Sequence, residues 1–156
     1  MLATGVTNSL SVSDMFAALG TVLDHIVSVP VLLSQQNGVA MPVGEFVMMT
    51  PLGLEDKSTS ITGYQASTDT HENTQIWRVQ IDCFGSSAST MSNTIKMMWR
   101  TSYVCELFGK LNVPIVPLYT DESRQTAFVN DASNYEDRWT LTLYSQVRPI
   151  VTVPSV

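Results

Sequence analysis

Charge is scarce in this sequence. Only 14% of its 156 residues are Asp, Glu, Lys or Arg, against about 25% in ordinary soluble domains. A surface this thinly charged suits a protein much of whose exterior is covered by partners. Cations are scarcer still, with Lys+Arg 8 against Asp+Glu 14 and a net charge of -6. That balance excludes a nucleic-acid clamp, which needs clustered cations to neutralise phosphates. Long apolar runs are missing as well. None approaches the roughly 20 residues of a membrane-spanning helix, and the opening "MLATGVTNSLSVSD" has neither the basic start nor the apolar centre of a signal peptide. The reading is an intracellular protein with no membrane association.

Metal-binding and nucleophilic residues are equally thin. The chain has two cysteines and two histidines. Cys83 and Cys105 have no metal-ligand spacing and are expected as small buried thiols, one in a strand and one in a helix. His25 and His71 stand apart from each other and from any nucleophile motif, so neither has a base-nucleophile pairing to join. "FGKLN" holds a Gly-Lys pair without the rest of a phosphate-binding loop, and reads as a helix end in which Gly109 takes the left-handed cap. No catalytic residue, cofactor site or metal site is expected.

What is present is alternation and helical periodicity. Met15, Phe16, Leu19, Val22, Leu23 and Ile26 fall on one helical face, with Ser13 a candidate N-cap and Pro30 a stop. "GEFVMMTPLGL" reads as a short apolar strand that finishes in a bend at Pro51. In "QIWRVQIDCF", Trp77, Val79, Ile81 and Cys83 point one way and Arg78, Gln80 and Asp82 the other, as in a half-buried strand. A long helix is expected from about Ser89 to Phe108. Two prolines in "LNVPIVPLYTD" keep that segment out of the middle of a sheet. "RQTAFVN" is a short strand candidate, and Tyr135 to Val147 sets Trp139, Leu141, Leu143 and Val147 against Arg138, Thr140, Thr142, Tyr144 and Gln146. The fold class is therefore α+β: one domain over residues 1–156, with a mainly antiparallel or mixed β-sheet and two principal helices on its apolar face.

Three regions remain open to two accounts. Residues 55–73, polar and rich in Ser and Thr, form either a hairpin or a long mobile loop. The uncharged tail from about 149 to 156 either lies back along its own domain or adds to the sheet edge of another subunit. The pairs Met48 and Met49, and Met97 and Met98, read as core filling, with an adaptable interface as the alternative. The acidic residues Asp131, Glu136 and Asp137 could hold a divalent cation, but Arg124 and Arg138 compete for them, which favours ion pairs.

The linked series Pro117-Leu118-Tyr119, Arg124-Gln125, Phe128-Asn130 and Tyr135-Glu136-Asp137-Arg138-Trp139 resembles the neck and tail terminator proteins of tailed bacteriophages and prophages. The resemblance runs from about Tyr64 to the C-terminus and is faint before Gly44. It implies a non-enzymatic structural virion subunit, made in the host cytoplasm, that closes with copies of itself into a ring, hexameric in this reading. The ring would sit at the head-proximal end of the tail and end tail-tube polymerisation. Implied partners are the tail tube, with sheath protein a further candidate, and a neck or head-completion protein. Genomic DNA would pass through without specific binding, past an acidic wall that does not trap phosphate. The interface residues expected on this basis are Tyr119, Asp121, Arg124, Gln125, Asn130, Tyr135, Glu136, Asp137 and Arg138, with Trp139 anchoring their loop to the core. The alternatives are another ring-forming tail-tube or connector subunit and, from a different class, a small hydrolase or metal-dependent enzyme using the acidic cluster.

Overall fold

Ser11 begins the first long element. Its hydroxyl accepts the backbone N–H of Asp14 at 3.1 Å, capping helix α1 (Val12–Val27), and Asp14 complements the positive end of that helix. The cap lies two residues upstream of the expected Ser13. The helix stops at Ser28, whose left-handed backbone (φ 53) turns the chain into Pro30. This computed structural model describes residues 5–34, 42–126, 128–129 and 135–155.

Before α1 comes the short strand β1 (Thr7–Asn8); after it come β2 (Val31–Leu33), β3 (Phe46–Asp56), β4 (Ile61–Tyr64), β5 (Thr68–Glu72) and β6 (Gln75–Phe84). Helices α2 (Ala88–Met98) and α3 (Ser102–Lys110) follow, then β7 (Ile115–Thr120), β8 (Arg124–Gln125), β9 (Phe128–Val129), β10 (Tyr135–Glu136), β11 (Arg138–Val147) and β12 (Ile150–Pro154). The main sheet has the order β2-β3-β6-β11-β7, with β8 also on β11; all its pairings are antiparallel except β2 with β3. A second sheet has the order β1-β12-β5-β4. The three helices pack on one face of the main sheet, over a core that includes Leu19, Leu23, Val47, Ile81, Ile95, Trp99, Phe108, Leu141 and Leu143. The fold is thus the expected α+β arrangement, with a third helix.

That third helix arises because the expected long helix is broken. Thr101 adopts an extended backbone, and both its N–H and its hydroxyl donate to the carbonyl of Met98, at 3.0 and 2.7 Å. The break seats Trp99 in the core at 0% exposure, its indole N–H donating to the Tyr144 carbonyl at 3.1 Å. The apolar spacing runs on through the break, so periodicity alone gives one helix. Gly109 lies inside α3, and the left-handed residue after it is Asn112 (φ 56). Cys105 faces solvent, contrary to expectation, while Cys83 is buried. Of the methionines, Met49 is buried and Met97 exposed.

One antiparallel ribbon joins the two sheets. Pairing of β11 with β6 runs from Arg138↔Phe84 to Val147↔Gln75, and the same register resumes from Ile150↔Glu72 to Pro154↔Thr68 between β12 and β5. The tail therefore lies along its own domain, as the continuation of β11, and β1 pairs on its other side. The polar segment 55–73 begins with the end of β3 and then forms a hairpin: β4 pairs with β5 from Ile61↔Glu72 to Tyr64↔Asp69, and its turn closes with Gln65 N–H donating to the Thr68 carbonyl at 2.9 Å. β3 does not stop at Pro51 but passes it through a register shift before Gly53. β7, with Pro117 inside it and Pro114 just before it, is an edge strand as expected.

Candidate subunit interface

β7 ends against β11, and its last residues set the surface. Tyr119 is half exposed and stacks on Tyr144 of β11, ring centroids 4.5 Å apart and nearly parallel. Beyond it the chain is pinned at Asp121. That residue exchanges bonds with Thr142: its Oδ1 accepts the Thr142 N–H at 2.6 Å, and its own N–H donates to the Thr142 carbonyl at 3.2 Å. Its other oxygen, Oδ2, accepts from Arg124 Nη1 at 2.9 Å, and the same nitrogen reaches the Glu122 carbonyl at 3.3 Å. One carboxylate thus fixes both the exit from β7 and the guanidinium that opens β8. The Ser123 hydroxyl also meets that of Ser92 on α2.

Beneath β8 lies a buried polar hub. Asp82, 2% exposed on β6, accepts Arg138 Nε at 3.1 Å and the Thr140 hydroxyl at 2.6 Å on Oδ1, and the Gln80 amide at 3.0 Å on Oδ2. Because Thr140 gives its proton to Asp82, the 2.7 Å bond between Thr126 and Thr140 has Thr126 as donor. Thr126 also donates its N–H to the Arg138 carbonyl at 2.7 Å. A buried carboxylate is tolerated only when paired and hydrogen-bonded. Here the bonds that satisfy it tie β6 to β11, and Thr126, just past β8, joins them through Thr140.

A third carboxylate organises the neighbouring corner. Glu45 Oε1 accepts the Ser87 N–H at 3.0 Å and the Ser86 hydroxyl at 3.2 Å. It occupies the start of α2, where Ser87 supplies no side-chain cap. Bonds from Ser87, then Ser86, hold the Glu45 carboxyl below the ordinary carboxylate value. Gly85 (φ +112) makes the approach possible, since a Cβ there would lie 2.6 Å from Glu45 Cγ. The Gly85 N–H donates to the Asp137 carbonyl at 3.3 Å. A cavity of about 470 Å³ opens here, with Val43, Glu45, Gly85 and Asp137 in its wall.

The expected contact residues sort by exposure. Tyr119, Arg124, Gln125 and Asp137 are exposed and Asp121 is half-buried. Arg138 turns inward to Asp82, its guanidinium 5.7 Å from the centre of the Phe84 ring. The two arginines thus find Asp121 and Asp82 as ion-pair partners. Trp139 packs against the core, as its anchoring role requires. Tyr135 and Glu136 form β10, paired with β9; Asn130 and Asp131 lie outside the described residues. Sequence reasoning missed Asp82 and Glu45. A lone Asp on the polar face of an apolar-rich strand was the available signal for the first; for the second there was none, since its partners lie more than 40 residues away.

Chemical machinery is sparse. Among the described residues no group of three or more His, Cys, Asp or Glu could hold a metal ion. Burial, and then the charge of Asp82, push the Cys83 thiol up to about 12, so it is no thiolate nucleophile. No helix of the described residues is long and apolar enough to cross a membrane.

A family model described as phage neck terminator protein matches residues 13–156, and the chain belongs to that family. The match reaches well upstream of the segment in which the resemblance was visible, taking in α1 and β2. No curated protein matches the chain. The protein is accordingly a structural component of the bacteriophage neck and tail, and so of the virion.

Proposed function

We propose that this neck terminator family member closes into a ring, a hexamer, at the head-proximal end of the phage tail. There it ends tail-tube polymerisation and presents a face to the neck or head-completion protein. The observation that carries the reading is the family match across nearly the whole chain. The ring is assembled in the host cytoplasm, meets tail tube on one side, with sheath protein as a further neighbour in a contractile tail, and performs no catalysis. DNA passes through its channel unbound, in keeping with the net charge of -6.

The contact surface we assign comprises Tyr119, Asp121, Arg124, Gln125, Asp137 and the 130–136 segment, with Asn130, Tyr135 and Glu136. Tyr and Arg are the residue types that anchor interfaces most often, and Tyr119 arrives already held by its stack on Tyr144. Arg138 supports this surface from below through Asp82.

Negative-stain imaging and mass photometry of the purified protein, alone and with polymerising tail-tube protein, test the proposal. Closed rings, or caps at one end of the tubes, support it. Extended cylinders made of this chain alone would reassign it as a tube subunit, and a monomer with no effect on tubes would remove the terminator role.

A further inference from the structure

An open strand edge is a row of unpaired N–H and C=O groups that recruits another strand, and proteins blunt such edges with charge, proline, bulges or brevity. Among the described residues most edges are blunted. β1 and β8 are two residues long, and β7 carries Pro117 and a register shift against β11. Two are not. β2, Val-Leu-Leu, ends the main sheet, and β4, Ile-Thr-Gly-Tyr, ends the second sheet. Neither contains a charge or a proline, each pairs in regular register on its inner side, and among the described residues neither has a strand on its outer side.

The flanks of these edges differ in a complementary way. Beside β2, between it and α1, lies a groove of about 510 Å³ whose walls include Phe16, Gly20, Val31, Leu33 and Met49. Gly20 widens it. A Cβ at that position would touch only the end of Met49, at the ordinary distance of 3.6 Å, so packing within the chain does not require glycine there. Glycine inside a helix nevertheless costs about 1 kcal/mol relative to alanine. Beside β4 the relief is reversed: Ile61 is 66% and Tyr64 80% exposed. In a strand Thr62 and Tyr64 share one face while Ile61 and Gly63 share the other. A strand laid along β2 with its Tyr64 face toward α1 would place that ring in the groove.

We propose that β4 of one subunit adds to β2 of the next, Tyr64 filling the groove between α1 and β2. The inference rests on the ring reading above and names a contact that builds it. A second copy is the occupant because both unblunted edges belong to one chain, and one carries the apolar side chain that the other's groove lacks. Neither strand carries a charge, and the one charged residue in the groove wall, Asp24, lies on α1 and not on the joining strands. Donor and acceptor are different surfaces, so the contact is heterologous and repeats head to tail until a ring closes.

Cysteine cross-linking tests this, in a Cys105→Ser background so that the buried Cys83 is the one native thiol left. Leu32→Cys marks β2 and Ile61→Cys marks β4. The double variant and both single variants are assembled with tail tube, treated with a short bis-maleimide and run on a denaturing gel. The proposal predicts a ladder of covalent multimers from the double variant and monomers from each single one. Gly20→Leu added to the double variant should abolish the ladder without changing the thermal midpoint, whereas Gly20→Ala should leave it. Rings visible on the tubes without a ladder would overturn the β4–β2 contact and leave the ring reading standing. Dimers from a single variant would show a like-with-like contact and also overturn it. Absence of both rings and ladder would overturn contact and ring reading together.

Discussion

Asp82, buried on β6, holds the guanidinium of Arg138, the first residue of β11, at 3.1 Å. This pair connects the sheet to the loop on which the proposed contacts depend. Removing the arginine leaves the buried carboxylate without its counter-charge, whereas without the carboxylate Arg138, a third exposed, still reaches water and Thr140 keeps its bond to Thr126. Breaking one side of a buried pair costs about 3 kcal/mol or more. Arg138→Ala is therefore expected to lower unfolding free energy by about that amount, measured by urea denaturation. Replacing both Asp82 and Arg138 with apolar residues should recover part of the loss.

A different outcome is expected for Arg124 and Asp121. Their side chains are 47% and 35% exposed, and exposed pairs contribute about 0–1 kcal/mol. Arg124→Ala should leave the monomer's stability within about 1 kcal/mol while weakening ring assembly on tubes, as should Asp137→Ala. Sedimentation of tubes with bound protein measures the second effect. Normal assembly of both variants would remove these residues from the interface.

Gly85 and Glu45 predict a pH dependence. Glu45 has a lowered carboxyl pKa in the folded chain, from an ordinary 4.5. Its contribution is present in full above that value and is lost as pH falls through the lower folded one. Glu45→Gln should lower stability near neutrality, where the ionised carboxylate contributes in full, and make the acid limb of the stability profile shallower below about pH 4.5. Gly85→Ala should be destabilising at every pH, since a positive φ and a 2.6 Å approach to Glu45 both oppose a Cβ. Thermal midpoints across a pH series check both.

The two thiols should separate cleanly. Cys105 is exposed and Cys83 buried with its pKa pushed up to about 12. A disulfide reagent at pH 8 is expected to modify one thiol rapidly in the folded protein and the second only in denaturant. Rapid reaction of both would mean that β6 opens readily.

Much of this architecture is legible in the residues. The alternation from Trp77 to Cys83 and from Trp139 to Val147 places both central strands and the buried face, since that pattern follows directly from a sheet with one covered side. The prolines of "LNVPIVPLYTD" place β7 at an edge. What escaped either leaves the periodicity unchanged or is non-local. The break at Thr101 depends on a hydroxyl turning back to Met98, and the helix period is unchanged across it. The tail's placement depends on a register inherited from β11, which an uncharged, proline-flanked sequence does not reveal. The contact loop was recognisable by its motif, yet which of its charges face outward depends on Asp82, a residue more than 50 positions away in the chain.

The central claim is termination. The most direct test is the length distribution of tail tubes polymerised with increasing amounts of this protein, with a tag on the chain to show where it binds. The account predicts tubes that shorten as the protein is added, each tagged at one end and none along its side. Tubes of unchanged length, or tags spread along the cylinder, would contradict it.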